Sequence, residues 1–290
     1  MSFEKSIGTL ESAKGSSGPD YVIYTPKEEL PRAVVQVVFG FNENVETYES
    51  CGFVEALTSS GYVVCFLKLR GFVPNGTVNF GDFETFSDDI SALFAFMRQT
   101  YRRLPLILYG HDFGSLIVRD YIAYSENNID GAIISGTWDN ASKLGSEKLK
   151  TKFDILIHGK DFCGKYNEKK VFGYNTVNDV KYYYSCSSYL QTLLLLEKVS
   201  DPEWSANVPL SLPVLLVSGS DDALENEGNG TSYVYSRLED AELCELKLKR
   251  YDGCEHAPHF GSCKDNVFED ITAWIGDVCQ GVVDWGTLKI

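Results

Sequence analysis

The chain has 290 residues and a formal net charge of −15 at pH 7, and 44% of its residues are hydrophobic. A chain of this length can bury one large core, so we predict a single domain over residues 1–290. Its acidic surface repels phosphate backbones, and no cluster of Lys or Arg reverses that charge locally. Nucleic acid is therefore excluded as a partner.

The first half of the chain alternates between apolar strands and helices that carry apolar residues at helical spacing. A continuous apolar run such as AVVQVVF at 33–39 is typical of a strand buried on both faces. Alternation of this kind predicts an α/β fold, a mostly parallel sheet with helices on both faces. The strands are predicted at 21–24, 33–39, 62–67 and 105–109, and the helices at 49–60, 83–101 and 115–124.

The second half contains a long insertion. After a predicted strand at 131–134, residues 139–208 are rich in Lys, Tyr and Asn and too long for a structureless connection. We therefore predict that 139–208 forms an inserted lid of short helices. The alternation then returns, with strands at 213–218 and 245–251 and helices at 233–239 and 266–279.

Residues 1–14 lack the basic start and the apolar stretch of a secretory signal, and no later run reaches the roughly 18 apolar residues of a membrane span. We therefore expect a cytoplasmic protein without a transmembrane segment. The eight cysteines include no CxxC pair, so we expect reduced thiols and neither a zinc site nor a dithiol redox motif. No motif implies a metal ion or a cofactor, and the oligomeric state is left open.

A nucleophile elbow is predicted in the middle of the chain. The strand at 105–109 runs into residues 110–114 (GHDFG) and then into the helix at 115–124, which is the strand, turn and helix context of this motif. Glycines flank Asp112 because a Cβ on either side would collide with the neighbouring strand or helix. The turn also directs the backbone N–H of Phe113 towards the reaction centre, beside the positive end of the helix.

Two later turns supply an acid and a histidine. One predicted strand ends in the sequence GSDD, which contains Asp221 and Asp222, and the last strand ends shortly before His256. The carboxyl ends of parallel strands meet at one edge of a sheet, so these side chains are expected beside Asp112. In α/β folds with a nucleophile elbow, the nucleophile, the acid and the histidine occur in this order along the chain. Three residues further on, His259 is expected to be solvated or to contact substrate.

With these motifs the chain resembles the monoacylglycerol lipase and lysophospholipase (serine aminopeptidase S33-like) branch of the α/β hydrolases. The resemblance covers nearly the whole chain, is weakest in the lid, and implies the α/β-hydrolase fold. The family places its acid three residues after the glycine of a GSxD turn, which selects Asp222. The other residues that match family motifs are Gly40, Glu43, Tyr48, Glu49, Arg70, Gly71, Tyr251, Gly253 and His256.

Three polar positions of that family are changed in this chain. Asp112 stands at the position of the nucleophilic serine, Phe39 at that of the oxyanion-loop histidine, and Phe72 at that of the histidine expected after Arg-Gly. A carboxylate that attacks an ester carbonyl gives a high-energy anhydride, so acyl transfer of the serine type is disfavoured. The resemblance therefore supports the fold better than it supports lipase activity.

An aspartate at the elbow is suited to attack at a saturated carbon. The GHDFG turn is similar to the GHDWG turn of epoxide hydrolases, and haloalkane dehalogenases also carry aspartate there. This resemblance implies that Asp112 forms an alkyl ester with a small apolar substrate, while Asp222 orients His256. Two carboxylates raise the pKa of His256 until esterification removes one charge and frees it as the base for water. Backbone N–H groups of Phe41 and Phe113 would bind the oxyanion.

Two other interpretations stay open. In one, the protein is a catalytically inactive hydrolase-fold protein that binds a small apolar ligand or a partner, and Asp112 with His256 forms a static ion pair. In the other, an esterase uses Asp112 as a general base for water. Epoxide opening also needs an acid, for which the lid offers several tyrosines that equally suit half-buried packing. These tyrosines are Tyr174, Tyr182, Tyr183, Tyr184 and Tyr189.

Overall fold

The computed structural model describes residues 2–11, 17–41, 43–72, 77–125, 128–139, 144–167, 183–226 and 230–287. The strands are β1 (Phe3–Glu11), β2 (Ser17–Pro26), β3 (Ala33–Val38), β4 (Tyr62–Leu67), β5 (Thr77–Val78), β6 (Leu106–His111), β7 (Gly131–Ser135), β8 (Cys163–Asn167), β9 (Tyr183–Ser185), β10 (Val214–Gly219) and β11 (Leu246–Tyr251). The helices are α1 (Val45–Cys51), α2 (Phe53–Ser59), α3 (Thr85–Thr100), α4 (Phe113–Tyr124), α5 (Leu144–His158), α6 (Cys186–Val199), α7 (Ala223–Asn226), α8 (Thr231–Asp240) and α9 (Lys264–Thr287), with a 3-10 turn at Ser205–Asn207.

Eight strands form the central sheet, in the order β1-β2-β4-β3-β6-β7-β10-β11. The pairs from β4 to β11 are all parallel, and β1 and β2 are added antiparallel at one edge. The sheet is therefore mostly parallel, as predicted. Strand β1 was not among the predicted strands because its sequence, FEKSIGTLE, lies at an exposed edge and lacks an apolar run.

The core lies on both faces of this sheet. All six residues of β3 are buried, and successive side chains point to opposite faces, Val34 to one and Val35 to the other. Helices α3 and α4 cover the first face, and α2 and α9 cover the second. None of the described helices is long and apolar enough to cross a bilayer.

Between β7 and β10 the chain forms α5, β8, β9 and α6. Strands β8 and β9 pair antiparallel, and β9 pairs parallel with β5, which makes a second, three-stranded sheet. The predicted lid at 139–208 was expected to consist of short helices. The structure places strands there as well, and their pairing with β5 from a distant part of the chain left no local pattern to detect.

Arg119 connects this insertion to the core. Its guanidinium is buried and donates to the carbonyl oxygens of Trp138 (2.8 Å) and Val199 (2.6 Å) and to the carboxylate of Asp139 (3.2 Å). It also lies over the ring of Trp204, 4.5 Å from the centroid. Both ends of the insertion are therefore held at one side chain of α4.

The cysteine prediction was wrong for one pair. Cys254 and Cys263 form a disulfide, with their Cα atoms 6.4 Å apart, while the other six cysteines are free. The loop after β11 folds back on itself and brings the two Cα atoms into bonding range. A spacing of nine residues is not a recognisable motif, so no sequence pattern indicates this pair.

Candidate active site

The turn between β6 and α4 holds Asp112 in an unusual backbone conformation. Its φ is 51° and its ψ is −120°, a region that residues with a side chain rarely adopt. A Cβ on Gly110 would overlap the carbonyl oxygen of Gly114, and a Cβ on Gly114 would overlap that of Val38. The two glycines therefore allow strand and helix to approach closely while Asp112 projects from the turn.

The structure brings Asp112, Asp222 and His256 together at the carboxyl edge of the sheet. Nδ1 of His256 lies 2.8 Å from Oδ2 of Asp222, and Nε2 lies 3.4 Å from Oδ1 of Asp112. The Asp222 carboxylate also accepts the N–H of Leu224 at 2.9 Å. Asp221, by contrast, is exposed and accepts the hydroxyl of Ser220. Asp222 is thus the member of this pair that contacts His256.

The two oxygens of Asp112 have different partners. Oδ2 accepts the backbone N–H of Phe41 at 3.0 Å, whereas Oδ1 faces His256. Gly40 lies so close that a Cβ there would be 2.7 Å from Cβ of Asp112. Phe113 is the first residue of α4, so its N–H has no acceptor within the helix and lies at the helix's positive end.

The charge of His256 is set by its two neighbours. Burial acts to lower its pKa, but the hydrogen bonds and negative charges of Asp112 and Asp222 outweigh burial and raise the pKa to about 10. His256 is therefore an imidazolium at neutral pH while both carboxylates are ionised. Removal of either negative charge would lower its pKa.

Comparisons with known proteins agree with this architecture. Residues 29–262 match the hydrolase family described as serine aminopeptidase, S33. The chain belongs to this family. A thermostable carboxyl esterase from Bacillus coagulans has a TM-score of 0.80 at 22% identity, covering 96% of this chain and 99% of that one. A soluble variant of monoglyceride lipase from Saccharomyces cerevisiae has a TM-score of 0.65 at 17% identity, covering 95% and 97%. These similarities confirm the predicted α/β-hydrolase fold.

In this S33-family chain, an aromatic cluster includes Phe113, the residue after Asp112, and Phe41, whose N–H donates to the Asp112 carboxylate. Phe41 stacks on Phe113 with ring centroids 4.1 Å apart, and Phe72 and Phe80 extend the cluster. We call this cluster the aromatic wall. Phe39 does not belong to it, because its ring stacks on Phe66 on the other face of the sheet. Of the two phenylalanines that stand at histidine positions of the family, Phe72 therefore belongs to this wall, and Phe39 does not.

The lid tyrosines occupy different environments. Tyr184 on β9 is buried, and its ring meets that of Phe41 edge-on at 5.1 Å. Tyr183 is exposed, and Tyr189 hydrogen-bonds Glu147, which together with burial raises the pKa of its phenol to about 12. Tyr174 and Tyr182 lie outside the described residues. Tyr184 is thus the described lid tyrosine that contacts the aromatic wall.

A second polar cluster consists of Glu43, His259 and His111, the residue before Asp112. Oε1 of Glu43 is 3.5 Å from Nε2 of His111 and 3.7 Å from Nε2 of His259. His111 also contacts the hydroxyl of Ser135 at 3.1 Å. The expectation that His259 is solvated was wrong, because it is fully buried and stacks on Tyr48. Neither of its ring nitrogens has a hydrogen-bond partner among the described residues.

Burial dominates the charge states of this Glu43 cluster. It lowers the pKa of His259 to about 3, aided by the nearby charge of His256, and it lowers that of His111 despite Glu43. It raises the pKa of Glu43 although His111, the N–H of Gly40 and Tyr48 act in the opposite direction. The ligand atoms of Glu43, His111 and His259 lie within 4.8 Å of one another, and zinc accepts such donors. Glu43 matches a family motif in the sequence, but that match indicates no role for it.

Proposed function

We propose that this chain is a hydrolase in which Asp112 is the nucleophile towards a saturated carbon of a small apolar substrate. His256 is the base for water, and Asp222 orients His256. The observation that carries this proposal is the position of the Asp112 carboxylate, with one oxygen on the N–H of Phe41 and the other facing His256. A nucleophile, an oxyanion donor and a base are thereby available at one carboxyl group.

In the first step, an oxygen of Asp112 bonds to the substrate carbon, and the bond from that carbon to a halogen or an epoxide oxygen breaks with its electron pair. A halide leaves as an anion, whereas an epoxide oxygen takes a proton from an acid. Tyr184 is our candidate for that acid because it is buried against Phe41. The aromatic wall favours a substrate with an apolar body.

In the second step, water hydrolyses the alkyl-enzyme ester. Esterified Asp112 carries no charge, so the pKa of His256 falls and its imidazolium releases a proton to solvent. The neutral imidazole then takes a proton from water. The resulting hydroxide adds to the carboxyl carbon, and the Phe41 N–H stabilises the oxyanion. Cleavage of the ester bond releases the alcohol, which takes its proton from His256, and restores the carboxylate.

Mass spectrometry of trapped intermediates tests this mechanism. Wild type, His256→Gln and Asp112→Asn are incubated with 1-bromobutane, styrene oxide and p-nitrophenyl butyrate, and intact masses and products are followed. We expect turnover of at least one alkyl substrate by wild type and an adduct on peptide 110–114 of His256→Gln. Asp112→Asn should form neither, whereas Asp221→Asn, which changes the exposed neighbour of Asp222, should behave as wild type.

Two other outcomes would overturn the proposal. The close contact of His256 with both carboxylates is also what a static ion pair requires. Absence of both adduct and turnover on all three probes would therefore indicate a non-catalytic protein that binds an apolar ligand. Turnover of p-nitrophenyl butyrate alone, without an adduct, would indicate that Asp112 acts as a general base for water.

A further inference from the structure

Glu43 lies between the loop that carries Phe41 and the strand that carries Asp112. Its Oε2 atom accepts the backbone N–H of Gly40 at 2.8 Å, and its own N–H donates to the carbonyl oxygen of Gly40 at 3.4 Å. The side chain and the backbone N–H of Glu43 are therefore both hydrogen-bonded to Gly40, the residue that precedes Phe41. We call the described residues Gly40, Phe41 and Glu43 the oxyanion turn.

The Glu43 carboxylate is itself held in place from two sides. Tyr48, a fully buried residue of α1, donates its hydroxyl to Oε2 at 2.8 Å. Helix α1 is fixed at its start by a capping box between Asn44 and Thr47. On the other side, Oε1 faces His111, the residue before Asp112 in the chain. The carboxylate thus fixes the distance between the oxyanion turn and the nucleophile elbow.

We infer that Glu43 is a positioning residue that holds the Phe41 N–H on the Asp112 carboxyl group during hydrolysis of the alkyl-enzyme. This inference rests on the proposed function for its kinetic consequence. Gly40 leaves no side chain between the turn and Asp112, so a small displacement of the turn changes the Phe41 hydrogen bond directly. Glu43 itself touches neither substrate nor the reacting atoms.

The two chemical steps depend on Phe41 to different degrees. During alkylation, negative charge leaves the Asp112 carboxylate, so a weaker hydrogen bond from Phe41 does not slow the step. During hydrolysis, negative charge develops on the carboxyl oxygen, and a misplaced donor slows the step. Loss of Glu43 should therefore cause the alkyl-enzyme to accumulate, whereas a general loss of structure would slow both steps together.

Single-turnover kinetics with rapid quenching and mass spectrometry separate the two rates, with 1-bromobutane and styrene oxide as probes. For Glu43→Leu we expect ester hydrolysis to slow by about 100-fold, the usual effect of losing one oxyanion donor, with little change in alkylation. Glu43→Gln keeps an acceptor for Gly40 and should recover most of the rate. Glu49→Leu is the matched control, because Glu49 also accepts a tyrosine hydroxyl, that of Tyr24, outside the site.

Tyr48→Phe tests the same idea without removing the carboxylate. It deletes one of the two donors to Oε2 and should slow hydrolysis in the same direction by a smaller factor, even if Glu43→Leu fails to fold. Equal slowing of both steps in variants that keep the wild-type melting temperature would overturn the inference. So would an unchanged ratio of the two rates.

Hydrogen exchange of the Phe41 amide tests the positioning role independently of turnover. We expect this amide to exchange faster in Glu43→Leu or Tyr48→Phe than in wild type, and at the wild-type rate in Glu49→Leu. If no probe alkylates wild type, the proposed function fails, and this measurement still decides the inference. Unchanged exchange at Phe41 in both variants would overturn it.

Discussion

Two groups of carboxylate and imidazole side chains lie at the same edge of the sheet. One group has two carboxylates and one imidazole, and the other has one carboxylate and two imidazoles. In one, the imidazole of His256 lies between Asp112 and Asp222. In the other, the carboxylate of Glu43 lies between His111 and His259. The pKa of His256 is raised to about 10, whereas that of His259 is lowered to about 3.

The difference shows what decides the charge of a buried histidine. Burial lowers the pKa of both imidazoles, but His256 lies between two carboxylates whose hydrogen bonds and charges raise its pKa again. His259 is 3.7 Å from a carboxylate whose own pKa is raised by burial. The first group therefore holds a charged imidazole between its carboxylates, whereas burial favours the neutral form of both imidazoles in the second group.

The largest expected effect comes from a change in the His256 group. Asp222→Asn should lower turnover of whichever probe wild type converts by about 10⁴-fold, because the amide no longer holds the required tautomer of the imidazole. The measurement is kcat for this variant and for Asp221→Asn, whose exposed side chain accepts the hydroxyl of Ser220. A similar loss in both variants would mean that Asp222 has no special relation to His256.

Stability should depend on pH through His256. Its pKa in the folded protein, about 10, lies above the ordinary value of 6.5. The stabilisation is therefore fully present below about pH 6.5 and is lost as the pH rises through about 10, with an upper limit of about 5 kcal/mol. We expect the gap in melting temperature between wild type and His256→Gln to narrow from pH 6 to pH 10.5. A gap that stays constant would contradict the ion pair.

The smallest expected effect comes from the Glu43 group. His259→Phe keeps a ring against Tyr48 and Phe260 and removes two buried nitrogens without hydrogen-bond partners among the described residues. The free energy of unfolding should stay equal or rise by no more than about 1 kcal/mol, and the melting temperature should follow it. His111→Phe should lower it, because it breaks the contact with Ser135. A marked fall in His259→Phe would show that the imidazole nitrogens are in use.

Sequence patterns predicted those parts of the molecule that depend on local order. Buried strands such as β3 and β4 are continuous apolar runs, and Asp112 and His256 follow strands whose ends meet at one edge. Asp222 could be separated from Asp221 only through the family motif. The strands of the second sheet escaped detection because they pair across distant parts of the chain.

The Glu43 cluster could not be predicted for a related reason. His111 and His259 are separated by about half of the chain, and nothing in the residues around His259 distinguishes a buried imidazole from a solvated one. The disulfide between Cys254 and Cys263 likewise depends on how the loop folds back. Contacts of this kind are set by tertiary packing, which overrides the local signal.

The buried guanidinium of Arg119 closes the insertion at its base. Trp138 and Asp139 at its start and Val199 near its end meet at this one group, so the insertion leaves and rejoins the core at one point. Further out, the insertion contacts the core again, because β9 pairs with β5 and Tyr184 packs against Phe41. A changed segment in the insertion would therefore reach the aromatic wall, whereas Asp112, Asp222 and His256 all lie outside the insertion.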